Sequence, residues 1–255
     1  HTDPHQAQNC PVKNSVLLVT LLCILLGARA KADEYRIVTE EWAPYNYLQD
    51  GQLTGLTTEV VNAIMALTGD NFPIEAVPSM RATYDLRQQP KTIMYSLFRT
   101  PERESSYRWV GPIAEEAIYP YQLASSEAPI HSLAQLMQAQ RITTRHAGLV
   151  PDTLESLGFR NLDRSANQNV QLYRMLLAGR TQIIVGDTPA GVAYYSRLLQ
   201  IPAGTLRQIP LELFRSSLYI AFSRDSSEAV VTRWAEALDQ LRSSGKLEQI
   251  RLAYE

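Results

Sequence analysis

The stretch "TQIIVGDTPAG", residues 181–191, decides the reading of the chain. A short apolar run ends in Gly186, an aspartate follows, and a Thr-Pro pair then opens a helix, with proline at the first helical position where its missing N–H costs nothing. "TIMYSLFRTPER" (92–103) repeats this order, with Arg99 in place of the aspartate. A strand that ends in a charged residue and leads into a helix start is the unit of an α/β sheet, whose ligands bind beyond the carboxyl ends of strands. The two segments carry opposite charges at that place. A small zwitterion would satisfy both, its carboxylate on Arg103 and its ammonium on Asp187.

Working outward, apolar strand patterns alternate with helical ones. Strands are expected at 35–40, 92–98, 141–144, 181–186 and 217–223, and helices at 57–69, 169–179 and 228–245, with a further segment closing the chain. The extended, proline-bounded "EEAIYPYQLASSEAP" (115–129) reads as a connection between two lobes, and 209–217 as the return crossing. Lobe 1 is then 33–117 with 216–255, and lobe 2 is 118–215.

The chain has 255 residues and a formal charge of −2, which gives no basic face for nucleic acid. "VLLVTLLCILLG" (16–27), with Lys13 before it and "ARAKA" (28–32) after it, has the layout of a secretory signal peptide cleaved after Ala32 or Ala30, with a retained membrane anchor as the other reading. Val12 resembles an alternative start, with 1–11 upstream of it. Both cysteines, Cys10 and Cys23, precede the cleavage point, so the exported protein needs no disulfide and has no thiolate metal site. The sequence contains no Walker loop, nucleophile elbow or metal-ligand cluster, and no cofactor or metal is expected.

Arg103 poses a question of its own. With Thr100 as N-cap and Pro101 at the first position, Arg103 falls at the third position of a helix, where the dipole disfavours a cation by roughly 0.3–1 kcal/mol. An anion held there by the guanidinium and the free backbone N–H groups reverses the sign. The alternatives are a solvated arginine or an ion pair with Glu104 or Glu41. For Asp187 the alternative is a plain N-cap.

"EWAPYNYLQDGQLTGLTTEVVNAI" (41–64), "RTPERESSYRWVGPI" (99–113), "NQNVQLYRMLLAGRTQIIVGDTPA" (167–190) and the segment from "SLYIAFSRDSSEAV" (217–230) onward occur in this order. Together they resemble the extracellular solute-binding proteins of the polar amino-acid type, the substrate receptors of bacterial ABC importers. The resemblance implies a two-lobed type II periplasmic-binding-protein fold, each lobe a mixed sheet flanked by helices. It further implies a periplasmic monomer that captures an amino acid or related carboxylate-bearing solute and delivers it to the membrane permease of an ABC importer.

By the same resemblance, Arg103 grips the ligand carboxylate, Asp187 takes the ammonium, and Trp42, followed by Tyr45, lies against the ligand, with core packing as the other reading of Trp42. Ser96 and Phe98 occupy places where the family often has a backbone contact and a small hydroxyl residue. Arg81 is an extra anion contact or a surface charge. "TRHAGLVPDT" (144–153) brings Arg145 and His146 toward the cleft, with a polar loop residue as the other reading of His146. Two other functions fit the family. One is an enzyme like the cyclohexadienyl dehydratases, which would need Asp187 or His146 as acid–base group; the other is a sensor partner that presents ligand to a membrane receptor.

Overall fold

The computed structural model describes residues 34–127 and 129–254. The apolar run of 16–27 and the cleavage sites lie outside them. Among the described residues no helix is long and apolar enough to cross a membrane.

The first sheet is built around β5 (Thr92–Phe98), every residue of which is buried. Such a continuous apolar run belongs to a strand covered on both faces. β1 (Arg36–Thr39) pairs with it in parallel, and β4 (Ile74–Ala76) pairs in parallel with β1 on the far side. The long strands β12 (Phe214–Ser223) and β6 (Tyr107–Ile118) complete the order β4-β1-β5-β12-β6, both running antiparallel to their neighbours. A small hairpin, β2 (Tyr47–Gln49) and β3 (Gln52–Thr54), turns through Asp50 and Gly51. Both turn residues have positive φ, 52° and 77°, as an Asp-Gly turn requires.

Helices α1 (Leu56–Thr68) and α7 (Glu228–Ser243) cover one face of this sheet. Gly69 caps α1 in the left-handed conformation at φ 76°, which a side chain would resist. Trp234 of α7 is wholly buried against Phe72 and Phe222, and its indole N–H donates to Asp70 Oδ2 at 2.8 Å. The opposite face receives Ala82 and Leu86 of α2 (Ser79–Gln88) against Val38, Met94 and Ala221.

The second sheet has the order β11-β7-β10-β8-β9. β8 (Ile142–Arg145), β9 (Leu162–Ala166) and β10 (Ile183–Ile184) are parallel, and β7 (Tyr121–Leu123) and β11 (Leu206–Gln208) are antiparallel additions. Helices α3 (Leu133–Gln138) and α4 (Leu149–Ser156) pack Leu136 and Leu154 on one face. Helices α5 (Asn169–Leu177) and α6 (Pro189–Leu198) pack Leu172, Leu176 and Val192 on the other. A last helix, α8 (Lys246–Leu252), packs Ile250 into the first core.

Two stretches of chain pass between the sheets side by side. The Leu213 N–H donates to the Ile118 carbonyl and the Ile209 N–H to the Pro120 carbonyl, both at 2.9 Å. Strand β10 is shorter than the expected 181–186; ahead of it the Thr181 hydroxyl accepts from the Thr143 hydroxyl at 2.7 Å and donates to the Ile183 carbonyl at 3.1 Å.

One expectation is corrected. Residues 101–106 do not form a helix. They form successive turns in which the Arg103 N–H donates to the Thr100 carbonyl at 3.0 Å and the Ser106 N–H to the Arg103 carbonyl at 3.0 Å. Tyr107 already belongs to β6, so too little chain remains for a helix to propagate after its costly first turn. Arg103 therefore has no helix dipole to oppose it.

Truncating the central tryptophan tests the first core. Trp234→Ala is expected to destabilise the protein by about 3–5 kcal/mol. A fall in the urea midpoint at unchanged m-value measures it. A shift corresponding to less than about 1 kcal/mol would mean that the first core does not depend on this side chain.

Candidate functional site

The carboxyl ends of β1, β5, β8 and β10 converge between the sheets, where two adjoining cavities lie. The inner one is small, about 60 Å³, and is lined by Glu40, Trp42, Ser96, Phe98, Arg103 and Arg145 among others, with residues 147–151 at the start of α4 closing one side. The outer one, about 470 Å³, shares Glu40, Ser79, Arg145 and Ala147 with it and adds Glu41, His146, Asn167 and Gln168.

Arg103 is half-buried. Its Nη1 donates to the Phe98 carbonyl at 3.3 Å, and it forms no ion pair among the described residues. Burial holds its pKa below the usual arginine range, with Glu40 and Asp152 among the charges acting the other way. A guanidinium losing solvent without a carboxylate in contact has unspent capacity for an anion. By contrast, Arg99 closes on Glu104 and Arg164 on Glu155, each at 2.7 Å.

Ser96 is buried with φ 58°, an uncommon conformation for a residue other than glycine, and its hydroxyl donates to Asn46 Oδ1. Phe98 stands edge-on to Trp42 at 5.6 Å between ring centroids. The Trp42 indole N–H crosses to the second sheet and donates to Asp187 Oδ1 at 3.2 Å. Tyr45, packed against Trp42, crosses likewise, its hydroxyl sharing a 2.7 Å hydrogen bond with Thr188 Oγ1. Burial pushes the Tyr45 phenol well above its ordinary value, so it is neutral.

Asp187 lines neither cavity. It is 3% exposed and accepts from Asn169 Nδ2 at 2.6 Å and from the Tyr173 hydroxyl at 2.7 Å, besides Trp42. Burial pushes its pKa from 3.8 to about 6, while the three hydrogen bonds pull the other way. The N-cap of α6 is the next residue, Thr188, whose hydroxyl accepts from the Gly191 N–H at 3.1 Å.

Arg81 also stands outside the cavities. Its Nε donates to both oxygens of the buried Asp85, at 2.8 and 2.9 Å. His146 is exposed at the rim of the outer cavity. The structure thus brings Trp42, Ser96, Phe98 and Arg103 together, sets Tyr45 and Asp187 behind Trp42, and leaves Arg81 on the surface.

Sequence reasoning gave no role to Glu40. It sits at the end of β1 and accepts from Arg145 Nη2 across the cleft at 3.1 Å. Its signal was its place, a carboxylate directly after a strand and two residues before Trp42. Asn169 and Tyr173, the partners of Asp187, stand four apart on α5 and so share one helical face.

Residues 35–254 match the family of bacterial extracellular solute-binding proteins, family 3. The chain belongs to this family. Among solved structures, this family 3 protein is similar to a histidine kinase sensor domain that itself resembles periplasmic binding proteins. The TM-score is 0.77 at 17% identity, over 86% of this chain and 95% of that one. It is similar to the arginine-, lysine-, histidine-binding protein ArtJ from Geobacillus stearothermophilus, with a TM-score of 0.72 at 20% identity, over 87% and 95% of the two chains. It is also similar to the ancestral amino acid-binding protein AncCDT-1, a precursor of cyclohexadienyl dehydratase, with a TM-score of 0.73 at 15% identity, over 92% and 98%. No curated protein matches it. These likenesses show the two-lobed type II periplasmic-binding fold.

The raised pKa of Asp187 makes the stability of this binding protein depend on pH. A carboxyl group that is harder to ionise in the folded state favours folding below its unfolded pKa, near 4. It gives up that contribution as pH rises through about 6. The loss is on the order of 3 kcal/mol, at 1.36 kcal/mol per pKa unit. Unfolding free energies between pH 4 and 7 should carry this slope in the wild type and lose it in Asp187→Asn. An identical pH profile in the variant would show that Asp187 is not the group responsible.

Proposed function

We propose that the protein is a periplasmic receptor that captures an amino acid or a closely related carboxylate-bearing solute between its two lobes and hands it to the permease of an ABC importer. The observation that carries this reading is Arg103: a half-buried guanidinium in the interlobe cavity that forms no ion pair among the described residues. Trp42 and Phe98 supply an apolar wall beside it, the combination of apolar lining and few polar anchors typical of small-molecule sites. Family membership supports solute binding, and the amino-acid-binding proteins among the similar structures support the solute class. Asp187, one of the two acid–base candidates, is badly placed for catalysis; the other, His146, stands at the rim of the outer cavity. An acid–base group must reach the proton it moves, and this carboxylate is enclosed by Trp42, Asn169 and Tyr173.

Arg103→Ala tests the reading. The variant leaves a bound carboxylate without its charged partner, a loss on the order of 2–5 kcal/mol, or roughly thirtyfold to several thousandfold in affinity. Titration calorimetry with a panel of amino acids measures it. The ligand-free melting temperature should hold or rise, because a desolvated, unpaired cation has been removed. Unchanged affinity alongside a lowered melting temperature would reduce Arg103 to a structural residue.

A further inference from the structure

The inner cavity holds two guanidiniums, one more than a single ligand carboxylate engages. Three charged side chains line it: Arg103, Arg145 and Glu40. Asp187, the acidic group expected to meet an ammonium, is enclosed elsewhere.

Arg145 and Glu40 are both largely enclosed, with side chains 17% and 18% exposed. Their contact is a single one, Nη2 to Oε2 at 3.1 Å. The Arg145 Nε–H is buried without a hydrogen-bond partner among the described residues. A guanidinium has five donors in a planar fork suited to bidentate carboxylate binding, and here one of them is used. A buried donor left unmade costs free energy that a ligand carboxylate would recover. Glu40 faces both cations, as the partner of Arg145 and as one of the charges acting on Arg103.

We propose that the ligand is an α-amino dicarboxylate, with one carboxylate on Arg103, the second on Arg145 and the ammonium on Glu40. The proposal rests on the receptor reading above; the contacts of Arg145 and Glu40 are argued from their own geometry. The charges match: two guanidiniums and one carboxylate line the wall, and two carboxylates and one ammonium belong to the solute. In the free protein Glu40 stands where the second ligand carboxylate would lie. Bound solute turns it from a partner of Arg145 into a partner of the ammonium. The adjoining outer cavity, which shares Glu40 and Arg145, gives the longer end of such a molecule room.

The experiment is calorimetric titration of the full exported chain with L-glutamate, L-aspartate, L-glutamine, L-arginine and glutarate. The acidic amino acids are expected to bind on the order of tenfold or more tighter than glutamine, since loss of one charged partner costs at least that much. Arg145→Gln and Arg145→Met, each checked for an unchanged ligand-free melting temperature, should lower glutamate affinity more than glutamine affinity and close the gap. Glutamine or arginine binding as tightly as glutamate to the wild type overturns the proposal while leaving the receptor reading intact. A glutamate preference that survives in both Arg145 variants overturns the role of Arg145. Glutarate binding as tightly as glutamate overturns the role of Glu40. If none of the five binds, the proposal is overturned, and the receptor reading rests on the wider amino-acid panel.

Discussion

Asp187 ties the two halves of the molecule together. Its carboxylate is enclosed at the end of β10, where ionising it is costly, and three donors make the charge tolerable: Asn169 and Tyr173 from α5, and Trp42 from beyond β1 on the other sheet. Two of the donors come from one side of the cleft and one from the other, so satisfying the buried charge also draws the halves together. The Trp42 ring is thereby fixed against Phe98 and Tyr45 and becomes the wall of the inner cavity. Gly191 leaves the space that the carboxylate needs, since a Cβ there would come within 2.6 Å of Asp187 Oδ1.

Many arginines outside the cleft are paired with carboxylates, as Arg81 is with Asp85, Arg233 with Asp70 and Arg215 with Glu212 and Glu115, while Arg207 and Arg224 donate to backbone carbonyls. Inside it, among the described residues, Arg103 has a backbone carbonyl alone and Arg145 a single contact with Glu40. Exposed pairs add little stability, typically under about 1 kcal/mol, so the difference matters less for folding than for what the cleft can accept. Cations held short of their hydrogen-bonding capacity in a partly desolvated space form an anion site before any anion arrives.

Much of the fold was legible because its signals are local. The apolar run 92–98 became the central strand, Gly69 ended a helix in the left-handed conformation, and Thr188-Pro189 opened another. Thr100-Pro101 has the same local grammar and misled, because the chain turns back into β6 within a few residues and the i→i+3 bonds suffice for the turns. The site was half legible. Local spacing pointed to Arg103 and the family resemblance to Trp42, and both line the inner cavity. What Asp187 faces depends on a tryptophan 145 residues away, and the contact between Glu40 and Arg145 spans 105. No local pattern encodes either. Arg81 escaped for a similar reason: the attraction of Asp85, one helical turn along, is visible in the sequence, but the burial that makes Asp85 the stronger claim is not.

The paired crossings near Ile118 and Leu213 have a mechanical consequence. A single strand between two bodies is a swivel and permits rotation about any axis. Two strands abreast, joined by hydrogen bonds at Ile118–Leu213 and Pro120–Ile209, resist twisting and sliding and leave one easy motion, a swing about the line through both. Groups far from that line then travel on fixed arcs. A swing of this kind would move the side of the cleft that carries Glu40 and Trp42 along one arc relative to the side that carries Arg145 and Asp187. The accuracy of the site is thus set at a place that touches no ligand, much as the fit of a door is set at its hinges.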